Sequence, residues 1–143
     1  MLNQKQLAII KAAGRLHGHV GPFLVVGLKM GNAAKKALNI AETEQTRLSA
    51  QVAIPLNPPF SCLLDGIQVS TTCTVGNQRL QFRNAKNIKA IFKAESGETV
   101  TVTLAKSFWE QLEQQRKLDK LDETFAWELA ELSDSQLFCI ALE

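Results

Sequence analysis

The spacing of apolar residues changes along this chain, and that change fixes the class of fold open to it. Up to Asn39 the spacing is helical. Leu7, Ile9, Ile10 and Ala13 predict a short first helix ending near Gly14, and Phe23, Val26, Met30, Ala34 and Leu38 recur at intervals of three and four along a second. Pro22 suits the first turn of that second helix, where its missing N–H would have no partner anyway. The helix is expected to run to about Asn39. From Arg47 to Ile54 the period becomes two: Leu48, Ala50, Val52 and Ile54 alternate as one buried face of a strand. Pro55 to Pro59 then breaks the backbone twice, and Ser61 is placed to N-cap a short apolar helix through Leu63, Leu64 and Ile67. Turn signals at Gly76-Asn77, Asn84 to Asn87 and Ser96-Gly97 punctuate strands around Arg79 to Arg83, Ile88 to Ala94 and Thr99 to Leu104, an expected antiparallel meander. Phe108, Trp109 and Leu112, then Leu118, Leu121, Phe125, Leu129 and Leu132, predict helices in the tail, and Leu137 to Leu142 a last strand. This order predicts an α+β fold, one domain over residues 1–143, with helices on one face of a mostly antiparallel or mixed β-sheet.

A chain of 143 residues buries roughly 68–70% of the surface its unfolded form exposes, so a core can form without staples. Three cysteines are too few and too unpaired for a disulfide framework. The N-terminus has no unbroken apolar run of the signal-peptide kind, and Phe23 to Leu28 falls far short of the ~20 residues that span a bilayer. A reduced, cytoplasmic protein without a membrane segment is expected. Charge is unevenly placed: residues 1–94 carry 12 Lys/Arg against 3 Asp/Glu, and residues 95–143 carry 4 against 11. The acidic tail helices are expected to complement the basic remainder, within the chain or across a homodimer. Scattered basic residues and few aromatics argue against a nucleic-acid partner. Gly27 and Gly31 lie four apart in a helix, where each costs about 1 kcal/mol relative to Ala; close approach of another backbone would explain them, and so would simple tolerance of the glycines.

Both histidines fall in one tripeptide, His17-Gly18-His19. Two imidazoles at i and i+2 converge on one ion if the backbone is extended, and the glycine permits the dihedrals. Alone, the same tripeptide describes a polar loop facing solvent. Cys62 sits at an expected helix N-terminus, where the dipole favours a thiolate, and Cys73 lies in the polar run Ser70 to Thr74 just after that helix. Nitrogen and sulfur donors together suit zinc, or another transition metal such as nickel or iron, which makes His17, His19, Cys62 and Cys73 candidate ligands. Cys139, inside Leu137 to Ile140, reads as a core residue. Asp65 and Gln68, three apart on one helix face, are either candidates for orienting a ligand histidine or ordinary surface residues. An alternative chemistry uses Cys62 as a nucleophile with His17 or His19 as its base.

The run Leu16 to Gly31, LHGHVGPFLVVGLKMG, resembles the opening signature of the FmdE-like proteins, named for one of the subunits of formylmethanofuran dehydrogenase. Ser61 to Gln68 with Thr72 to Gly76 is similar to their second signature. The resemblance implies an α+β, FwdE/GAPDH-domain-like domain, usually dimeric, with a metal site built from the histidine loop and the cysteine segment. It also implies methanogenesis-related one-carbon or redox metabolism in an anaerobe, or a non-catalytic docking role in a molybdenum or tungsten redox complex with a vestigial site. No CxxC pair is present, so the chain looks like the short form without a zinc ribbon. Three positions depart from the pattern: Gly21 where some relatives have Cys, Thr72 where Gly is usual, and Asn77 where Lys is usual. Thr72 and Thr74 border the expected ligand space, the Thr72 Cβ is expected to crowd it, and loss of the Lys weakens any small anionic ligand there.

Overall fold

A reciprocal cap opens the chain: Asn3 Oδ1 accepts from the Gln6 N–H and Gln6 Oε1 from the Asn3 N–H, both at 2.8 Å. In this computed structural model, which describes residues 1–41 and 47–143, that cap starts α1 (Gln4–His17). Then follow α2 (Pro22–Ala37), β1 (Ser49–Ile54), a 3-10 turn over Phe60–Cys62, α3 (Leu63–Thr71), β2 (Leu80–Asn84), β3 (Lys89–Lys93) and β4 (Thr99–Leu104). The remainder is α4 (Lys106–Lys117), α5 (Glu123–Ala130), α6 (Asp134–Leu137) and β5 (Phe138–Leu142). The strands form one mixed sheet in the order β2-β1-β3-β4-β5. The α+β class is as the sequence predicts.

The meander is not. β2 pairs in parallel with β1, at the sheet edge, and β3 takes the other side of β1 antiparallel. The reason lies at the end of β2. Asn84 Oδ1 accepts from the Leu56 N–H and the Ala85 N–H donates to Ile54 O, so the turn at 84–87 fastens β2 to the end of β1 instead of folding it onto β3. Only the β3–β4 hairpin keeps the predicted connection.

Alternation decides what each strand offers. Val52, Ala90 and Val102 share a register row and are buried on the helix side, while Gln51 and Lys89 on the opposite face are exposed. Cys139 belongs to that opposite face and is exposed, not a core residue; its neighbour Phe138 is the one buried. α2 is buried along nearly its whole circumference, with Leu24, Val25 and Leu28 covered as well as the predicted stripe. It is the central helix. Ion pairs Lys36–Asp134 (3.6 Å) and Arg47–Glu95 (3.8 Å) join the basic and acidic parts of the chain, although such exposed pairs contribute at most about 1 kcal/mol each. Among the described residues no helix is long and apolar enough to cross a membrane.

Candidate functional site

α1 runs three residues past Gly14, so His17 is its last residue and not part of a loop. Gly18 caps it in the left-handed region, φ 106°, its N–H donating to Gly14 O at 2.7 Å. Only glycine takes that conformation cheaply. The cap reverses the chain at once and sets the His17 and His19 rings 5.0 Å apart, centroid to centroid. The imidazoles thus meet through a left-handed cap, not through the extended backbone expected. Gly21 follows as the N-cap of α2, and a Cβ placed there would lie 3.2 Å from His19 Nε2. Position 21 therefore borders the histidine pair.

α3 brings the acid. The His17 Nδ1–H donates to Asp65 Oδ2 at 2.7 Å, since an ionised carboxylate only accepts. His17 is mostly enclosed, 13% exposed, whereas Asp65 is 36% exposed. Gln68, one turn further on, donates from Nε2 to Asp65 Oδ1 at 3.1 Å and accepts the Val75 N–H on Oε1 at 3.0 Å. A chain of bonds thus runs from the loop after α3 through Gln68 and Asp65 to His17. It fixes the ring and leaves Nε2 of the neutral imidazole with a lone pair.

The cysteines behave differently from each other and from expectation. Cys62 is half-buried at the N-cap of α3, but burial, and secondarily the Asp65 charge, push its thiol up instead of down. The thiolate expected at a helix N-terminus is therefore disfavoured here, because desolvation and a carboxylate in the first turn outweigh the backbone hydrogen bond that lowers the pKa. Ser61 makes no capping bond; the 3-10 turn takes its place. Beside Cys62 the Phe60 ring packs edge-on to Phe23 at 5.3 Å, with Trp109 at 6.0 Å and the Arg116 guanidinium 5.6 Å above it. Cys73 is fully buried, and its thiol donates to Leu48 O at 3.0 Å. Burial raises its pKa too.

Thr72 is the C-cap of α3 at φ 59° and is exposed, and Thr74 Oγ1 accepts the Asn77 N–H at 3.1 Å. Asn77 closes the same turn from its side chain, accepting from Thr74 N–H and donating to Thr72 O. These three shape the loop that Gln68 grips. For a zinc-like ion the donor set fits in part: His17 and His19 are adjacent and one is oriented, while Cys73 is committed to the core. Among the described residues no three His, Cys, Asp or Glu side chains form a group able to hold a metal. Neither of the two grooves described, one between α1, α2 and α5, one on the outer sheet face, is lined by the histidines, Asp65 or Cys62.

Three comparisons bear on this arrangement. A family model described as FmdE, molybdenum formylmethanofuran dehydrogenase operon, matches residues 16–138. A protein of Archaeoglobus fulgidus named a probable S-adenosyl-L-methionine-binding protein is 23% identical over 92% of this chain, which spans 42% of that relative's length. A crystal structure of a tungsten formylmethanofuran dehydrogenase FmdE-like protein from Syntrophus aciditrophicus superimposes with a TM-score of 0.67 at 20% identity. The match covers 96% of this chain and 71% of that one.

Proposed function

The chain belongs to the FmdE family, and from that premise we propose that it is a metal-binding member, its ion held by the imidazoles of His17 and His19, with Cys62 the candidate sulfur donor although these three side chains do not form a preformed group. Zinc is the first choice, with nickel or iron the competitors. The observation that carries this reading is the 2.7 Å bond from His17 Nδ1 to Asp65. A carboxylate behind one ring nitrogen is how proteins aim the other nitrogen at a metal and raise its basicity. Gln68 holds Asp65 in place, so the aim does not depend on one contact. Cys73 stays a core thiol. When bound, the ion would supply Lewis-acid polarisation of a ligand oxygen.

A role in one-carbon or redox metabolism, a homodimer, and docking to a larger molybdenum or tungsten redox complex complete the reading. Family membership supports the metabolic role and the docking; the homodimer rests on the uneven charge of the two parts of the chain alone. Elemental analysis and cobalt(II) titration test the metal. The expected result is one ion per chain, lost in the His17→Ala, His19→Ala double variant and retained in Cys73→Ser. In Cys62→Ser the ion stays but the sulfur-to-cobalt charge-transfer band disappears. Unchanged stoichiometry in the double variant would sink the assignment.

A further inference from the structure

The two edges of the sheet are β2 and β5, and they differ in charge. At β2, the Ala50 N–H donates to Arg79 O at 2.8 Å and the Ala85 N–H to Ile54 O at 3.0 Å. Between those two bonds the parallel ladder turns the backbone of Gln81 and Arg83 toward β1 and that of Leu80, Phe82 and Asn84 outward. The Leu80 N–H is taken by Thr74 O. Among the described residues the Phe82 N–H and C=O therefore stand unpaired at the centre of the edge. The two faces of β2 offer different side chains. Phe82 shares a row with Val52 on the helix side and is 44% exposed, whereas Gln81 and Arg83 lie on the bare outer face. There Arg83 and Lys89 flank Ala53 in one row, beside a groove of about 330 Å³. Among the described residues neither cation has a carboxylate partner. From Gly66 to Ala94 the chain carries Arg79, Arg83, Lys86, Lys89 and Lys93 and no Asp or Glu. β5, by contrast, has no charge from Phe138 to Leu142.

We infer that the β2 edge docks an extended segment of a partner protein in which acidic and apolar residues alternate, added to the sheet as one more strand. The inference rests on the docking role proposed above and supplies its surface. Period two sets the alternation: on an added strand every other side chain falls beside Phe82 and the rest beside Arg83. Charge sets the sign. Cations on an edge repel a second copy of the same strand and accept an acidic one. The outer face holds no aromatic ring on which a base could stack, which disfavours a single-stranded nucleic acid. Main-chain bonds supply affinity and the two side-chain rows supply selectivity.

Fluorescence anisotropy of the full chain with a labelled peptide of alternating valine and glutamate tests the assignment, against a valine–lysine peptide and a short oligothymidylate. The glutamate peptide is expected to bind at least about tenfold more tightly than either. Arg83→Glu and Phe82→Lys should each weaken it about tenfold or more with the thermal midpoint retained, since both side chains are exposed. Ile140→Lys, on the β5 edge, should leave it unchanged. N-methylating one alternate set of peptide residues should abolish binding and N-methylating the other should spare it, because only one set turns its N–H groups to β2. No binding of the glutamate peptide, equally tight binding of the lysine peptide or oligothymidylate, or equal effects of the two methylated sets would each overturn the assignment. So would Arg83→Glu and Phe82→Lys binding like wild type, or Ile140→Lys weakening binding as they do. Docking to a redox complex fails separately: peptide binding in a chain with no such partner would remove that role and uphold the edge.

Discussion

The two long sides of α2 are packed by opposite means. Against α3 the backbones themselves touch: a Cβ on Gly27 would collide with the Leu63 carbonyl, one on Gly66 with the Leu24 carbonyl, and one on Gly31 with the Ser70 hydroxyl. Against α1 and α5, side chains hold the helices apart and a groove of about 310 Å³ remains. The first side is locked and the second is open. The locked side carries the histidine site, because His19 and Gly21 lead directly into α2 while Asp65 sits on α3 next to Gly66. A 2.7 Å bond between α1 and α3 needs both helices placed to within a few tenths of an ångström, and backbone contact gives no slack.

The contrast is broken most directly by adding one methyl group on each side. Gly66→Ala would push α3 off α2, because the obstacle is main chain on both sides and cannot rotate away. A loss of about 3 kcal/mol in urea unfolding is expected. Asn32→Ala, on the groove side of the same helix, should cost less than about 0.5 kcal/mol. Equal effects from the two substitutions would show that the sides do not differ as described.

A smaller effect sharpens the locked side alone. Asp65→Asn keeps the shape of the side chain but removes the charge facing His17, and metal affinity should fall about 10- to 100-fold in competition with a chelator. The same change has a second readout of defined sign. Asp65 helps hold the Cys62 thiol above its ordinary pKa, so removing the charge lowers that pKa and enlarges the thiolate fraction at pH 8. Cys62 alkylation should therefore quicken in Asp65→Asn. In the wild type, Cys139 on the open sheet face should react first, Cys62 more slowly than a model thiol, and Cys73 only on unfolding. Fast labelling of Cys73 in the folded chain would contradict its place on Leu48 O.

Sequence pattern reaches far into this molecule, and it fails where contacts are long in sequence. Periodicity locates α2, β1 and β4 to within about two residues, and the glycine pair on α2 announces the close helix. What pattern cannot see is which strand a turn serves. Asn84 looks the same whether it reverses β2 onto β3 or ties it to the end of β1, and the bonds from Leu56 N–H to Asn84 and from Ala85 N–H to Ile54 O decide. The site divides the same way. Gly18 between two histidines, and Asp65 with Gln68 on one helix face, are readable from spacing. The direction of the Cys62 shift and the burial of Cys73 come from desolvation and tertiary neighbours, which leave no local trace. Lys29 leaves a trace, a charge in an apolar helix, but its meaning depends on α5 and α6, a hundred residues away.

Thr72 gives the mildest test, and it concerns how the locked side ends. It caps α3 at φ 59°, a left-handed conformation in which a β-branched side chain is crowded, and its hydroxyl turns back on the Thr71 carbonyl. Its side chain is exposed, so no burial offsets that crowding. The left-handed backbone costs a non-glycine residue about 1–2 kcal/mol, and glycine returns part of this as extra freedom in the unfolded chain. Thr72→Gly should therefore stabilise the fold by about 0.5–1 kcal/mol in urea unfolding. Thr72→Ala keeps the Cβ and loses only the hydroxyl, so it should stay near wild type. A matching gain from Ala would trace the effect to the hydroxyl contact and not to the backbone. A loss on Thr72→Gly would mean that the threonine stiffens the exit from α3, in which case the hold on Gln68 and Asp65 should loosen with it.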